Sequence, residues 1–174
     1  MKFNAQAMLG NDVLCLAPLQ ADDQNGLALA ASDPAIWAGH PIKDRYRSDV
    51  FAGYFAYLLG TGTTLTVRET TTQRIIGCSR YYVSPDEPCS ISIGFTFLTC
   101  DHWGGTSNRE MKSLMLAHAF ETFDAVWFHI DPTNLRSQKA TQKLGAKFVR
   151  DATLDLSGTP LPWKCYRLSR DDWQ

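Results

Sequence analysis

A predicted strand, a glycine turn and a helix follow one another in the middle of the chain, and this run constrains the fold more than any other. Residues 91–99 combine β-branched and aromatic side chains without a charge, which favours a buried central strand. The sequence Trp-Gly-Gly-Thr at 103–106 then turns the chain. Ser107 and Glu110 have capping-box spacing, which predicts a helix over residues 108–123.

The turn between this strand and this helix predicts an anion-binding site. A helix N-terminus presents free N–H groups and the positive end of the helix dipole. Gly104 and Gly105 lack the side chains that would hold an anion away from the backbone. We therefore expect a phosphate group to bind at this turn.

Composition excludes several classes of protein. The 174 residues suffice for one core and show no linker or repeat, so we predict a single domain over residues 1–174. Seventeen basic and eighteen acidic residues give no general attraction to nucleic acid or to an anionic membrane. The polar start of the sequence and the lack of a long apolar run lead us to expect no signal peptide and no membrane-spanning segment. The five cysteines are scattered without zinc spacing, so we expect reduced thiols, no metal and a cytoplasmic location.

The remaining elements are predicted from hydrophobic periodicity and turn residues. Strands are predicted at 13–19, 63–68, 74–83, 125–130, 147–150 and 163–169, and helices at 21–32, 48–59 and 135–144. The hairpins require antiparallel pairs, whereas the strand–helix–strand connection across the glycine turn requires a parallel crossover. The sheet is therefore expected to be mixed. The aromatic segment 35–47 is predicted to be irregular, either a binding loop or a lid over the core.

Three short motifs together resemble the GNAT superfamily of acyl-CoA-dependent N-acetyltransferases. The residues that carry the resemblance are Ile93-Gly94-Phe95, Trp103-Gly104-Gly105-Thr106 with Asn108 and Glu110, and Asn134 with Ser137, Lys143, Leu144 and Gly145. Within the superfamily, the pattern is similar to the ribosomal-protein N-terminal (RimJ/RimL-like) acetyltransferases. The resemblance spans residues 13–168. It implies an α/β (α+β) fold with a mixed, mostly antiparallel sheet of six to seven strands, about four helices, and two strands splayed at the acyl-CoA site.

The same resemblance implies acetyl-CoA as the cosubstrate. Its diphosphate would lie over the glycine turn, and its pantetheine arm would run between the strand segments 95–98 and 125–130. Asn134 would bind that arm, and Ser137 would lie near the sulfur. The implied cosubstrate-binding residues are Phe97, Leu98, Trp103, Gly104, Gly105, Thr106, Ser107, Asn108, Arg109, Asn134 and Ser137.

Four positions depart from the usual pattern of the superfamily. Asp101 stands where the phosphate loop commonly begins with Arg or Gln, and Thr106 stands in place of its last Gly or Ala. Thr141 occupies the position of a tyrosine that commonly protonates the leaving thiolate, and Ser92 occupies the position of a common carboxylate base. Ser137 is the substitute acid that the ribosomal-protein branch implies.

Acetyl transfer to an amine requires the amine to lose a proton, and four histidines are candidates for the base. His129 lies on the strand across the splay, so it either reaches the amine through water or is a satisfied core histidine. We name it with Ser137 as the candidate catalytic pair. His102 is either a phosphate ligand or a solvent-facing residue, His40 is either a substrate contact or a surface residue, and His118 is predicted to be packed. A water chain without a dedicated base is a further alternative.

The predicted partners are acetyl-CoA and an amine acceptor. Trp37, Tyr46 and Phe95 are expected to form apolar walls around the acceptor, and Arg45 and Arg47 either pair with its acidic groups or are solvated. We predict a monomer or homodimer that transfers acetyl directly to a primary amine, either a peptide N-terminus or a small molecule. The alternative is a non-catalytic acyl-CoA-binding or regulatory domain. Other nucleotide-binding domains are disfavoured, because no Walker lysine and no G-x-G-x-x-G is present.

Overall fold

The structure is a computed structural model that describes residues 3–87 and 90–173. Its strands are β1 (Leu9–Gly10), β2 (Leu14–Pro18), β3 (Thr64–Glu69), β4 (Ile75–Val83), β5 (Ile91–Leu98), β6 (Ala125–Ile130), β7 (Lys147–Asp155) and β8 (Pro160–Ser169). They form one sheet in the order β1-β2-β3-β4-β5-β6-β8-β7. The helices are α1 (Gln24–Ala30), α2 (Pro34–Trp37), α3 (Ser48–Gly60), α4 (Ser107–Phe120) and α5 (Leu135–Lys143).

The centre of the sheet contains the parallel pair that the sequence predicts. β5 and β6 are joined by a crossover through α4 and run parallel, whereas the other paired strands described are antiparallel. β5 and β6 pair only at Ile91–Val126 and Ser92–Trp127. Beyond these residues the two strands separate. The mixed, mostly antiparallel sheet with splayed central strands is therefore confirmed.

The structure adds one strand and one helix to the prediction. The sheet has eight strands rather than six to seven because the short β1 pairs with β2. β7 continues past residue 150 to Asp155, because it pairs with β8 along its length. The added helix is α2, in the segment predicted to be irregular. Pro34 lies in its first turn and Asp33 Oδ1 accepts a hydrogen bond from Ala35 N at 2.8 Å, which favours a helix start.

The helix predicted over residues 21–32 is shorter and begins differently. A 3₁₀ turn (Ala21–Asp23) precedes α1.

None of the helices in the described part of the chain has the length and apolar character of a membrane span. The described cysteines are free thiols, namely Cys15, Cys78, Cys100 and Cys165; Cys89 lies outside the described residues.

Two hydrophobic clusters lie on opposite faces of the sheet. α4 contributes Met111 and Met115 to the first cluster, and α1–α3 contribute residues such as Trp37 to the second. The neighbouring residues Phe97 and Leu98 belong to different clusters, as the alternation of side chains along a strand requires. The free end of β5 therefore lies between the two layers of helices.

An irregularity in the β4–β5 pairing bends β5 where it leaves β6. The register shifts between Cys78 and Arg80, and Phe95 has a φ of 52°. Gly77 has a φ of 157°, and a Cβ there would lie 2.0 Å from the carbonyl oxygen of Phe97. Only glycine permits this approach. The resulting β-bulge directs the second half of β5 away from β6.

Candidate active site

A cavity of about 750 Å³ opens where β5 and β6 separate. This volume lies within the range of ligand pockets. One end, here called the glycine end, is lined by Trp103, Gly104, Gly105, Thr106, Asn108, Arg109, Arg136, Lys139 and Lys143. The other, the aromatic end, is lined by Arg45, Tyr54, Tyr82, Phe95, Leu156, Ser157, Leu161 and Trp163.

The glycine end presents backbone to the cavity. Gly104 has a φ of 72°, and a Cβ added there or at Gly105 would meet no atom within 4 Å. The N-cap residue of α4 is Thr106, which makes no side-chain capping hydrogen bond. The first N–H groups of α4 are therefore left without a side-chain cap, which suits an anion.

The predicted capping box at the start of α4 is wrong. α4 begins at Ser107 and ends at Phe120, whereas the predicted helix covered 108–123. The Ser107 hydroxyl lies 2.7 Å from His102 Nδ1 instead, and the Glu110 carboxylate accepts a hydrogen bond from Asn11 Nδ2 at 2.9 Å. Both capping side chains are thus committed to other partners, and Ser107 does not line the cavity.

Asp101 and His102 brace the loop, and of the two only His102 lines the cavity. Asp101 Oδ2 lies 2.7 Å from Arg74 Nη2, and Asp101 is outside the cavity lining. The second nitrogen of His102, Nε2, lies 3.1 Å from Glu69 Oε1. Because both ring nitrogens of His102 have protein partners, its structural role is to hold the loop against β3 and β4.

The cavity is rich in positive charge. Its lining contains the cations Arg45, Arg109, Lys112, Arg136, Lys139 and Lys143, and Asp131 is the one acidic side chain among the described lining residues. The Arg136 guanidinium lies 3.4 Å from the centroid of the Trp103 ring, a cation–π contact that joins α5 to the glycine loop. Trp103 Nε1 in turn donates to the carbonyl oxygen of Leu98 at 3.0 Å. The cavity therefore suits a ligand with several negative charges.

Lys112 is a buried cation beneath the splayed strands. Its Nζ donates to Thr96 Oγ1 at 2.8 Å and to Ser79 Oγ at 3.3 Å, and the residue is 6% exposed. Burial lowers the pKa of Lys112 to about 7. The ammonium connects α4 to β4 and β5 at the bulge, so it helps to hold the free end of β5 in place.

Asn134 and Ser137 begin α5 beside the cavity. The Asn134 side chain caps the helix, because its Oδ1 accepts from Ser137 N at 3.1 Å. A Cβ on Gly39 would lie 2.9 Å from Asn134 Cγ, so the loop after α2 packs closely against this cap. The Ser137 hydroxyl makes no hydrogen bond to a described residue and lines the cavity. Thr141, one turn further along, is buried.

Tyr82, His129 and Asp86 form a hydrogen-bonded chain. Tyr82 and His129 line the cavity. His129 Nδ1 lies 2.7 Å from the Tyr82 hydroxyl, and His129 Nε2 lies 2.5 Å from Asp86 Oδ2. Arg150 Nη2 holds the other oxygen of Asp86 at 2.5 Å. Burial lowers the pKa of His129 against the opposing effect of Asp86, and burial raises the pKa of Tyr82. Both pKa shifts favour the uncharged forms of the imidazole and the phenol.

Sequence reasoning missed Tyr82 and Asp86. They lie on β4 and in the turn after it, far along the chain from His129, and no motif connects them. Cys165 Sγ, Asp86 and His129 also place potential ligand atoms within 4.8 Å of one another. Both oxygens of Asp86 already have hydrogen-bond partners, so the arrangement is explained by the hydrogen-bonded chain.

The other two histidines differ in environment. His118 Nε2 lies 2.8 Å from the carbonyl oxygen of Asn4, and its ring packs on Phe3, which confirms the prediction of a packed residue. His40 lines the cavity and packs 5.0 Å from the Trp37 ring. Burial lowers its pKa to about 4, with further effects of Arg45 and Arg136. His40 is therefore a neutral wall residue rather than a surface residue.

Two of the predicted acceptor walls are wrong. Trp37 is fully buried and its Nε1 donates to the carbonyl oxygen of Ala31 at 2.8 Å, so it is a core residue. Tyr46 is 40% exposed and does not line the cavity, because the loop before α3 directs it outward. The predicted residues that do line the cavity are Phe95, Phe97, Leu98, Trp103, Gly104, Gly105, Thr106, Asn108, Arg109, His129, Asn134 and Ser137.

Comparison with known proteins defines the family. Residues 14–147 match the sequence profile of the acetyltransferase (GNAT) domain. This match covers most of the chain, which therefore belongs to the GNAT acetyltransferase family. Membership implies acetyl transfer, and the family uses acetyl-CoA for it. No curated protein matches the sequence significantly.

Solved structures agree with this assignment at the level of the fold. A probable GNAT-family acetyltransferase from Chromobacterium violaceum superposes with a TM-score of 0.84 at 18% identity, covering 99% of this chain and 90% of that one. A GCN5-related N-acetyltransferase from Brucella melitensis gives 0.83 at 13% identity, covering 97% and 80%. Mycobacterium smegmatis RimJ in complex with CoA-disulfide gives 0.73 at 14% identity, covering 95% and 88%.

Proposed function

We propose that this protein is an acetyl-CoA-dependent N-acetyltransferase that acts on a primary amine, with residues 1–174 as a single catalytic domain. The observation that carries the proposal is a cation-lined cavity between splayed strands, with exposed loop backbone and an uncapped helix N-terminus at one end. Acetyl-CoA would supply an activated acetyl thioester. Its phosphates fit the surplus of positive charge, which a neutral ligand would leave unpaired.

Specific residues suit each part of the cosubstrate. The backbone at Gly104–Asn108 and the side chains of Arg109, Arg136 and Lys139 would hold its phosphates. Thr99 N donates to the carbonyl oxygen of Ile76 on β4. The N–H of the preceding residue, Leu98, therefore points to the opposite side, into the gap between β5 and β6, where it can polarise a carbonyl group.

The Tyr82–His129–Asp86 chain offers a path for the amine proton. Tyr82 lines the cavity, so its hydroxyl oxygen can accept a proton from an incoming ammonium group while its own proton passes to His129 Nδ1. Asp86, hydrogen-bonded to the other imidazole nitrogen, would stabilise the charged ring. Ser137, with its free hydroxyl, is the proposed donor to the leaving thiolate. The carbon–nitrogen bond forms as the carbon–sulfur bond breaks, the sulfur takes the proton of Ser137, and the second proton of the amine nitrogen restores the serine hydroxyl.

The first acceptor we propose is a peptide or protein N-terminus, as in the ribosomal-protein branch that the motifs resemble. A small amine is the second. The support is the motif spacing together with the RimJ structure among the solved structures that share the fold.

Two measurements test the function together. Calorimetry with coenzyme A tests the cosubstrate site, and release of free thiol from acetyl-CoA across a panel of amines and short peptides tests turnover. We expect binding and amine-dependent thiol release. Binding without turnover on any amine would instead support the alternative of a non-catalytic acyl-CoA-binding domain, for which the replacement of the usual tyrosine by the buried Thr141 is the observation in favour.

A further inference from the structure

We infer that the amine acceptor also carries a carboxylate, which Arg45 recognises at the aromatic end of the cavity and whose charge Arg80 helps to balance from behind Phe95. The inference rests on the proposed function, because it names the class of amine that would be acetylated there. It begins from two guanidinium groups that lie among aromatic rings without a carboxylate partner among the described residues.

Arg45 is held at the cavity by aromatic contacts alone. It lies in the loop between α2 and α3, and its guanidinium is 3.7 Å from the centroid of the Tyr54 ring and 5.7 Å from that of Trp37. It makes no hydrogen bond or ion pair with any residue that the structure describes. Stacking on a tyrosine fixes the plane of a guanidinium while leaving its edge donors free. Arg45 therefore presents an oriented, unused set of N–H groups to the cavity.

Arg80 carries a second guanidinium group that has no carboxylate partner among the described residues. It lies 4.5 Å from the Phe95 centroid and 5.5 Å from that of Tyr82. One of its terminal nitrogens donates to the Tyr57 hydroxyl at 2.7 Å, whereas Nε is buried and has no hydrogen-bond partner within the described residues. A partly desolvated cation is costly unless an anion pairs with it. Arg80 does not itself line the cavity, whereas the two rings that it contacts, Phe95 and Tyr82, do. Its positive charge therefore lies directly behind the cavity wall, where it favours an anionic ligand.

The phosphates of acetyl-CoA do not account for this charge. The cations at the glycine end project from α4 and α5, and Arg136 is fixed on Trp103 of the phosphate loop. Arg45 is fixed on Tyr54 of α3, and Arg80 lies on β4 under Phe95. Tyr54 and Phe95 pack on the face of the sheet opposite α4. Arg45 therefore faces the part of the cavity where the acceptor would bind.

The aromatic end is closed by a contact between α3 and the β7–β8 hairpin. The Tyr57 hydroxyl donates to the carbonyl oxygen of Leu156 at 3.3 Å, so α3 is joined to the β7–β8 hairpin. Tyr82, the proposed entry to the proton path, is in edge contact with Phe95 at 5.4 Å between centroids. An acceptor that places its amine at Tyr82 and its carboxylate at Arg45 would therefore be bound within this end of the cavity. Both a free amino acid and a peptide with an acidic first residue have this chemistry.

Arg47 provides a matched control. It was predicted with Arg45 as a possible partner for an acidic acceptor, but its side chain is 55% exposed and its Nη2 lies 3.0 Å from Asp49 Oδ2. It does not line the cavity. Replacement of Arg47 removes the same charge two residues away without removing a donor from the cavity.

The test compares acceptors that differ only in the carboxylate. kcat/KM is measured for peptides that begin with Asp or Asn, and for alanine and alaninamide, so that the two pairs separate a peptide from an amino-acid source. We expect the carboxylate form of at least one pair to be preferred by roughly tenfold or more, as for a charge-assisted arginine contact. Arg45→Met should remove the preference, Arg80→Met should weaken it, and Arg47→Met should retain it. Equal rates for both members of both pairs, or an unchanged preference in Arg45→Met, would overturn the inference.

A binding measurement separates this inference from the proposed function. N-acetyl-alanine, N-acetyl-alaninamide and the N-acetylated Asp and Asn peptides are titrated into the coenzyme A complex of the parent, Arg45→Met and Arg47→Met. Tighter binding of a carboxylate form in the parent and Arg47→Met, lost in Arg45→Met, supports the carboxylate site even if no amine is acetylated. If neutral amines are acetylated and neither carboxylate form binds more tightly, the acetyltransferase proposal stands and the carboxylate site is refuted.

Discussion

The two ends of the cavity are built from different kinds of groups. The glycine end is formed by the loop before α4 and the start of α4, with backbone N–H groups, and by solvent-accessible cations of α4 and α5. The aromatic end is assembled from α3, β4, β5 and the β7–β8 hairpin, and its polar groups are half-buried and stacked on rings. Backbone N–H groups can bind a phosphate in any sequence that forms the turn. An acceptor must instead be bound by side chains that only the fold brings together. The difference predicts that substitutions at the two ends affect different kinetic constants.

The largest effect is expected on the aromatic side, from His129→Gln. Removal of the imidazole interrupts the path from Tyr82 to Asp86, so kcat should fall by roughly a hundredfold or more, while the affinity for coenzyme A changes little. Steady-state kinetics and calorimetry measure the two quantities. His118→Gln is the control, because that histidine is packed on Phe3 away from the cavity. An unchanged kcat in His129→Gln would exclude the proposed proton path.

The same histidine predicts a pH dependence. His129 must be neutral to receive a proton, and burial lowers its pKa below the ordinary value of 6.5. Activity should therefore be lost only as the pH falls below about 6.5. A kcat profile whose acidic limb lies above that value would contradict the assignment.

Gly104→Val should have the opposite effect on the two quantities. It should weaken the binding of coenzyme A and leave the proton path intact. The added side chain would lie where the loop backbone is to approach a diphosphate, so the Kd for coenzyme A should rise roughly tenfold. Gly62→Val is the control, because Gly62, just after α3, has a similar φ of 61° and a Cβ there would be in ordinary contact with Gln6 Nε2 at 3.8 Å. Both variants should lose about 1–2 kcal/mol of stability from backbone strain. Equal coenzyme A affinities in the two variants would remove the phosphate site from Gly104.

Ser137→Ala tests a residue between the two ends. If its free hydroxyl protonates the thiolate, kcat should fall by roughly five- to tenfold with a smaller change in the KM for acetyl-CoA. Ser113→Ala, on α4 and outside the cavity lining, should leave both constants unchanged. An increase in KM alone would make Ser137 a binding residue rather than an acid.

Lys112→Met is expected to have the smallest effect. The quantity that it should change is the pH dependence of the free energy of unfolding. Folding lowers the Lys112 pKa from 10.5 to about 7, so between these values the unfolded chain holds a proton that the folded protein has released. Stability of the parent should therefore rise with pH across this window, by at most about 1.4 kcal/mol per pH unit from this group. Denaturant unfolding at pH 7 and 8.5 measures the rise. An identical rise in Lys112→Met would show that another group causes it.

The glycine end could be predicted from sequence and most of the aromatic end could not. Local patterns were enough for the loop at Gly104 and the helix start at Asn134, because the residues that act together are neighbours in the chain. The capping box failed because His102, folded back from the loop, competes for Ser107. Trp37 was wrongly predicted to form a wall of the acceptor site. The sequence alone does not distinguish an aromatic residue of a loop that packs into the core from one that faces a ligand. Tyr82 and its partners depend on strand register, which no local pattern specifies.

The most direct test of the account is one reaction of the parent protein with acetyl-CoA and an Asp-initiated peptide, followed by thiol titration and intact mass. The account predicts that free coenzyme A and peptide acetylated on its N-terminal amine form in equal amounts. Tight coenzyme A binding without acetylated product, from this peptide or from any other primary amine offered, would contradict it.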